Sequence, residues 1–306
     1  MLTNLFWMCA GLLSLTGINA EQPAEKPAEP QAQVAAAQPG AQPGVQPGES
    51  VAVTEEEEEP ESAVSSPPMA MDDPGTPGHL GLEVNFVGTF VRSGEARGTE
   101  SLLDANFGIG ERIQLKYERP YVTMDETGLA SQSGLGPTEI GVKWRFLDSH
   151  GWQVAIYPNY VFDDAFKVTD ESGIPEESEG KSFFLPLLVS KTVAHVYTLA
   201  ANVGYLNNVD HVTKEFSGAL GVGRALGANG RILAEVFSER DDNLNNLQTD
   251  IRVGIVELFL PGTFAHSGYE FPVYASFGTS VGRTESGVTV NSAVFGVSVI
   301  KLPKGE

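Results

Sequence analysis

The most constraining feature of the sequence is a two-residue alternation of apolar and polar side chains, which begins near Leu80 and continues almost to the end of the chain. In its first segment Leu82, Val84, Phe86 and Phe90 share one parity, and polar or small residues occupy most of the other. Successive side chains of a β-strand point to opposite faces, so each such segment has one apolar and one polar face. About twelve segments of this kind, separated by turn residues, are typical of a transmembrane β-barrel.

The connections between these segments alternate between short and long. The predicted strands cover 80–92, 101–109, 113–122, 138–147, 152–162, 182–191, 196–206, 215–224, 231–239, 249–259, 270–282 and 288–300. Tight turns at 110–112, 148–151, 192–195 and 225–230 alternate with longer polar connections at 123–137, 163–181, 207–214 and 240–248. Bacterial outer-membrane barrels have an even number of strands, short periplasmic turns and long external loops. We therefore predict an all-β chain, a transmembrane antiparallel up-and-down β-barrel of about twelve strands, with ten or fourteen as alternatives.

The first 20 residues are predicted to be a cleaved export signal. An apolar stretch covers 5–18, and Ala20 offers a small side chain at the cleavage point. The stretch is short for a membrane-spanning helix, which needs roughly 20 apolar residues. An uncleaved anchor and a lipid attached to Cys9 are the alternatives. Because Cys9 is the only cysteine, the exported chain would contain no disulfide and no thiolate site.

Residues 21–78 are predicted to be a disordered linker that precedes the barrel domain, 79–306. The segment repeats Gln-Pro-Gly three times, runs through five glutamates at 55–59 and ends in Pro-Gly-Thr-Pro-Gly. Such a composition buries too little apolar surface to offset the entropy of an ordered chain. The linker is expected in the periplasm as a solvated spacer, a tether or a chaperone handle. Whether it enters the barrel as a plug is left open by the sequence.

The charge and the motif content exclude several functions. The chain has 19 basic and 40 acidic residues, a net charge of −21 without a basic stripe, so we expect no nucleic-acid partner. Its five histidines lie at a predicted strand start, in turns or in loops, without a serine and an acid at suggestive spacing. We therefore predict no enzyme activity and no catalytic residue, no metal site and no cofactor, with a barrel lipid hydrolase as the least favoured alternative.

The polar parity of the predicted strands supplies the candidate site. If the apolar faces look at lipid, the opposite faces line the lumen, which is polar in barrels of this size. Nine charged or amide side chains on this parity are candidates for a solute path: Glu83, Asn85, Lys116, Glu118, Glu139, Lys143, Arg145, Glu235 and Arg252. Both signs of charge occur on neighbouring strands. They predict either a path with charge-set selectivity or a network of ion pairs that only stabilises the barrel.

Two stretches resemble a known family. Leu103 to Leu115, followed by Glu118-Arg119-Pro120-Tyr121, and then Gly134-Leu135-Gly136 with Glu139 to Phe146, are similar to a hairpin and the next strand of outer-membrane transporter-like proteins. These are grouped as phenol-degradation meta-pathway proteins. The resemblance is specific over about 103–162 and extends in pattern to about 81–300. It implies an outer-membrane barrel that passes small, often aromatic or hydrophobic, compounds.

The sequence thus predicts a passive outer-membrane channel or transporter for small solutes. Its expected partners are the outer-membrane lipid, the barrel-assembly machinery and the solute itself. The first alternative is a barrel that does not conduct and serves a structural or surface-binding role. A soluble all-β sandwich is the alternative fold, although it would need one core to absorb about twelve apolar faces.

Overall fold

A computed structural model describes residues 69–94, 96–125, 131–162, 165, 180–210, 213–227, 230–243, 245–258, 268–281 and 289–301. The predicted signal and most of the predicted linker, residues 1–68, lie outside the described residues, as does the greater part of the connection 163–181. No helix within the described ranges has the length and apolar composition of a membrane span.

The described residues form fifteen strands in one antiparallel sheet that closes on itself. The strands are β1 Leu82–Ser93, β2 Ala96–Ile109, β3 Ile113–Asp125, β4 Gln132–Leu135, β5 Thr138–Ser149, β6 Trp152–Ile156, β7 Asn159–Phe162, β8 Ser182–Val193, β9 Tyr197–Asn208, β10 Lys214–Leu226, β11 Gly230–Asp241, β12 Asn246–Leu258, β13 Tyr269–Glu270, β14 Pro272–Ser280 and β15 Val290–Lys301. Closure comes from β1 and β15, which pair from Leu82 with Lys301 to Ser93 with Val290.

Three of the twelve crossings of the barrel are each made by two short strands with a break between them, so the sheet contains fifteen strands. The breaks separate β4 from β5, β6 from β7 and β13 from β14. Pro137 and Pro158 lie in the first two breaks, and Pro272 opens β14 directly after the third. Proline has no N–H to donate to the ladder, so a strand that contains it tends to break there. The predicted twelve-stranded antiparallel barrel is confirmed.

Two predicted connections are wrong in length. The first, between the predicted strands 80–92 and 101–109, is much shorter than predicted, because β2 begins at Ala96 and pairs there with Ser93, the last residue of β1. The second, 123–137, contains ordered strand at both ends, since β3 continues to Asp125 and β4 pairs with it. The sequence pattern did not predict this pairing because the residues at these strand ends are polar. Strand ends that extend beyond the lipid-facing apolar band need no apolar face.

The two faces of the barrel have opposite character. Apolar side chains of the predicted parity point outward, and Phe86 and Leu220 are 52% and 67% exposed. The inward faces carry most of the buried polar and charged side chains, including Asn85, Lys116 and Arg252, each no more than 3% exposed. The short connections between β2 and β3, between β5 and β6 and between β8 and β9 lie at the same end of the barrel as the start of β1, here called the turn end, and the opposite end, where β1 ends, is called the loop end. Such an inside-out distribution is what a lipid-embedded barrel requires.

Candidate functional site

The lumen contains a piece of the chain that the sequence analysis assigned to the linker. Residues 69–78, here called the inner segment, directly precede β1 and lie inside the barrel. The side chains of Met69 and Met71 are 0% and 2% exposed and pack against Ala200, Ala219 and Leu233 on the inner wall. The predicted linker therefore does not remain outside the barrel over its last ten residues, because two methionines supply the apolar surface that the rest of the linker lacks.

One wall of the lumen holds the inner segment through its acidic side chains. The Nζ of Lys143 donates to Oδ1 of Asp72 at 2.8 Å and to the carbonyl oxygen of Gly75 at 3.3 Å. The Nζ of Lys116 lies 3.6 Å from Oδ2 of Asp72. Burial by itself would raise the pKa of the Asp72 carboxyl, but Lys143 and Lys116 outweigh it and hold that pKa below its ordinary value. Asp72 is therefore ionised at neutral pH and pairs with two lysines.

The opposite wall holds the backbone of the inner segment. The carboxylate of Glu235 accepts hydrogen bonds from the N–H of Ala70 at 2.7 Å and from that of Met71 at 3.1 Å. The Nε of Arg252 lies 3.7 Å from the same carboxylate. On β9, the Asn202 side chain donates to the carbonyl oxygen of Asp72 at 2.8 Å. The inner segment is thus bonded to four strands (β3, β5, β9 and β11) and crosses the lumen.

The wall lysines also belong to a wider polar network. Lys116 is 2.8 Å from Glu118 and 3.9 Å from Asp104, and the Asn85 amide donates to Asp104 at 2.9 Å. The Tyr157 hydroxyl donates to Glu139 at 2.8 Å. Acids outnumber bases among these residues, and each of the two lysines lies close to more than one of them.

The structure places all nine predicted lumen residues on the inward face. Lys116, Lys143, Glu235 and Arg252 contact the inner segment or its anchors, and Glu118, Glu139, Asn85 and Glu83 extend the network on the wall. Arg145 lies apart, near the turn end, where it donates to the carbonyl oxygen of Glu111 at 2.7 Å and lies 3.2 Å from Asp148. Their role in a solute path remains a prediction.

Sequence reasoning did not assign a role to Asp72, Met71 or Asn202. The signal for the first two was present, because Met69 and Met71 interrupt a polar linker and stand next to two acids just before the first strand. An apolar pair beside charges predicts a buried contact with a partner of the opposite charge. No local pattern identified Asn202, whose importance depends on where the inner segment passes.

Two glycines make room for aromatic rings in the lumen. A Cβ at Gly141 would lie 2.4 Å from Cε2 of Tyr157, and one at Gly204 would lie 2.4 Å from the ring of Phe184. These distances are far inside van der Waals contact. The rings of Tyr157 and Phe184 therefore occupy space that a side chain at Gly141 or Gly204 would fill.

Replacing Gly141 by Ala is expected to destabilise the barrel by about 1–3 kcal/mol, because the Tyr157 ring must move and release its hydrogen bond to Glu139. The urea midpoint of the folded, heat-modifiable form measures the change. Gly218→Ala is the control, since the only atom within 4 Å of its added Cβ is a carbonyl oxygen at 3.9 Å. Equal midpoints for the two variants would contradict the role given to Gly141.

A serine–histidine contact occurs at the turn end but lacks the remainder of a catalytic arrangement. Ser149 Oγ and His150 Nδ1 are 2.6 Å apart in an exposed turn. The neighbouring Asp148 is bonded to Arg145 and Gln153 rather than to the imidazole, so it does not orient the histidine as a triad acid would. Among the described residues, no group of three or more His, Cys, Asp or Glu side chains could hold a metal ion.

The comparisons with known proteins found similar structures but no similar sequence. No family model and no curated protein matches this chain. The structure is similar to an outer membrane channel from Pseudomonas putida F1, with a TM-score of 0.51 and 10% identity over 76% of this chain and 96% of that one. The likeness is one of fold. The NanC porin (TM-score 0.49, 11% identity, 71% and 98% covered) and the CymD monoaromatic hydrocarbon channel (0.40, 11%, 76% and 90%) are also similar.

Proposed function

We propose that this protein is an outer-membrane channel for small solutes whose lumen is closed at its centre by the inner segment. The observation that carries the proposal is that the lumen is crossed by residues 69–78, which the chain joins to β1 and which are otherwise held to the wall by hydrogen bonds and ion pairs alone. A barrel filled only by side chains of its own strands would open through movements of those side chains. A barrel filled by a chain segment outside the strands opens when that segment leaves.

The outer-membrane location follows from the outward surface and from the fold. The outward side chains form an apolar belt around a closed sheet without a free edge, as a bilayer requires. With the turn end in the periplasm, the linker that precedes the inner segment would also lie on the periplasmic side. The barrel-assembly machinery would insert the chain into the membrane. The family resemblance over 103–162 supports small hydrophobic or aromatic compounds as the solutes.

A lysine at the middle of the outward face tests the membrane location. Leu220 lies at the centre of β10 and points outward, whereas Leu226 is the last residue of the same strand. Leu220→Lys is expected to lower the free energy of unfolding in lipid vesicles by about 2–4 kcal/mol, and Leu226→Lys by about 0–1 kcal/mol, because the cost of a charge falls toward the interface. Urea titration in phosphatidylcholine vesicles measures both. Equal costs at the two positions would contradict a bilayer around β10.

A second candidate, a structural barrel that does not conduct, is favoured by one specific observation. The charges on the wall are paired with each other as well as with the inner segment, as in the contacts of Lys116 with Glu118 and of Arg252 with Glu235. Paired charges stabilise a closed lumen without implying a path. Conductance of the purified full chain in planar bilayers separates the two candidates, since the channel shows discrete openings when the inner segment is released and the structural barrel shows none.

A further inference from the structure

The outward face of the barrel carries two arginines directly opposite each other at the loop end. Arg92 on β1 and Arg97 on β2 are cross-strand partners, and both side chains are exposed. They share the parity of the exposed apolar residues Phe90 and Leu103 on the same two strands. Opposed side chains have Cβ atoms about 4.5–5.5 Å apart, and like charges in such a pair are destabilising. An anion that binds both guanidinium groups would remove this repulsion.

The two guanidinium groups have no acidic partner within the part of the chain that the structure describes. Asp125 lies beside Arg97 in the pairing of β2 with β3, but the two form no ion pair. The lysines of the lumen differ in this respect, since Lys116 and Lys143 each lie 2.8 Å from a carboxylate. The arginine pair is therefore an exposed concentration of positive charge on the surface of an acidic chain.

The arginine pair lies at the boundary of the lipid-facing belt. Leu82, at the turn end of β1, and Arg92 are ten residues apart on the same outward face. Ten residues at about 3.3 Å each, tilted by about 40°, rise about 25 Å, which is the height of the apolar band of such barrels. Just below Arg92, the rings of Phe90 and Phe295 stack with centroids 5.5 Å apart. The guanidinium groups therefore reach the level of the lipid headgroups, and the rings lie at the level of the acyl chains.

Hydroxyl side chains continue the polar surface below the arginines. Thr99 and Ser101 follow Arg97 on the outward face of β2, and both are exposed. Thr123 lies opposite Thr99 on β3, and the Tyr121 hydroxyl donates to the Ser133 hydroxyl at 3.1 Å. Thr99 is paired with the strand position of one of the two stacked rings, so these hydroxyls lie at a depth where lipid-facing side chains are usually apolar.

With the barrel in an outer membrane, as proposed above, we infer that this face binds the phosphorylated headgroup of a glycolipid in the leaflet at the loop end. A phosphate monoester carries about −1.5 to −2 charges near neutral pH, so two arginines match its charge and donate to its oxygens. The sugar hydroxyls of the lipid exchange hydrogen bonds with Thr99 and Ser101. Its acyl chains pack along the rings of Phe90 and Phe295.

Binding of lipid A, a phosphorylated glucosamine lipid, to the full chain in detergent micelles tests this inference. Native mass spectrometry of the intact complex measures the bound fraction. We expect lipid A to bind at least about tenfold more tightly than the same lipid without its phosphates, a difference of about 1.4 kcal/mol. Equal affinity for the two lipids would overturn the inference. An equal concentration of inorganic phosphate should leave lipid A bound, and its displacement would show a site for the free anion instead.

Variants of the arginines keep the test specific. Arg92→Gln and Arg97→Gln should each weaken lipid A binding by about tenfold, because each removes charge-assisted hydrogen bonds to the phosphate. Neither should change the affinity for the lipid without phosphates. Lys214→Gln is the control, since it removes an exposed cation at the loop end of β10 that lies opposite Asn207 rather than another cation. Unaltered affinity in both arginine variants, or an equal loss in Lys214→Gln, would overturn the site.

The outcome is separable from the membrane location on which it rests. The lysine substitutions on β10 measure that location in phosphatidylcholine vesicles, which contain no glycolipid. A chain that shows the expected difference between Leu220→Lys and Leu226→Lys but ignores the phosphates of lipid A overturns only this inference. Equal costs of those two lysines would instead contradict the membrane location itself.

Discussion

Reversing the charge of Asp72 is expected to open the lumen. Asp72→Lys would place three cations together where Asp72 now lies 2.8 Å from Lys143 and 3.6 Å from Lys116. Breaking a buried ion pair costs about 3–5 kcal/mol, which corresponds to a shift of roughly 100-fold or more in the equilibrium between bound and released inner segment. The fraction of time that single channels spend open in a planar bilayer should rise accordingly.

Two controls make the Asp72 result specific. Asp242→Lys changes the charge of the chain by the same amount in an exposed turn and should leave the open fraction at its original value. Combining Asp72→Lys with Lys143→Asp restores a pair of opposite charges and should close the channel again. If Asp72→Lys stays as closed as the unaltered chain, the ion pair does not hold the inner segment in place.

Removing the Glu235 carboxylate is expected to destabilise the folded barrel strongly. Glu235→Ala would leave the guanidinium of Arg252, which is 1% exposed, without its ion pair and the N–H groups of Ala70 and Met71 without their acceptor. An unpaired buried charge costs about 3–5 kcal/mol, so the free energy of unfolding in lipid vesicles should fall by about that amount. Urea titration of the heat-modifiable form measures it.

The double variant Glu235→Ala/Arg252→Leu distinguishes the pair from a general loss of packing. Removing both charges leaves no buried ion to solvate, so the double variant should be more stable than Glu235→Ala alone. A double variant whose loss equals the sum of the two single losses would show that the two side chains do not interact, and that the account of this wall is wrong.

The barrel could be predicted from the sequence because its physical causes are local. Each strand needs only an alternation with one apolar face, and Phe86, Leu115 and Val142 point outward as their parity predicts. The prolines at 137 and 158 also mark the strand breaks, although the sequence analysis did not use them in this way. The inward position of Lys116, Lys143 and Glu235 follows from the same alternation.

The content of the lumen could not be predicted in the same way. The inner segment has no repeat pattern of its own, and its place depends on Asp72 reaching lysines 44 and 71 positions further along the chain. Composition predicted disorder for the whole of 21–78 because prolines, glycines and acids dominate it. The contacts that order its last ten residues exist only once the barrel has closed around them.

A reversible cross-link between the inner segment and the wall tests the central claim most directly. Cysteines in place of Asp72 and Asn202, whose present contact is a 2.8 Å hydrogen bond, are joined by a short reducible bis-thiol reagent in a chain with Cys9→Ser. We expect no ion conductance in planar bilayers while the link is intact and discrete channel openings after reduction, since reduction releases a segment that has lost its ion pair. Equal conductance before and after reduction would contradict closure by the inner segment.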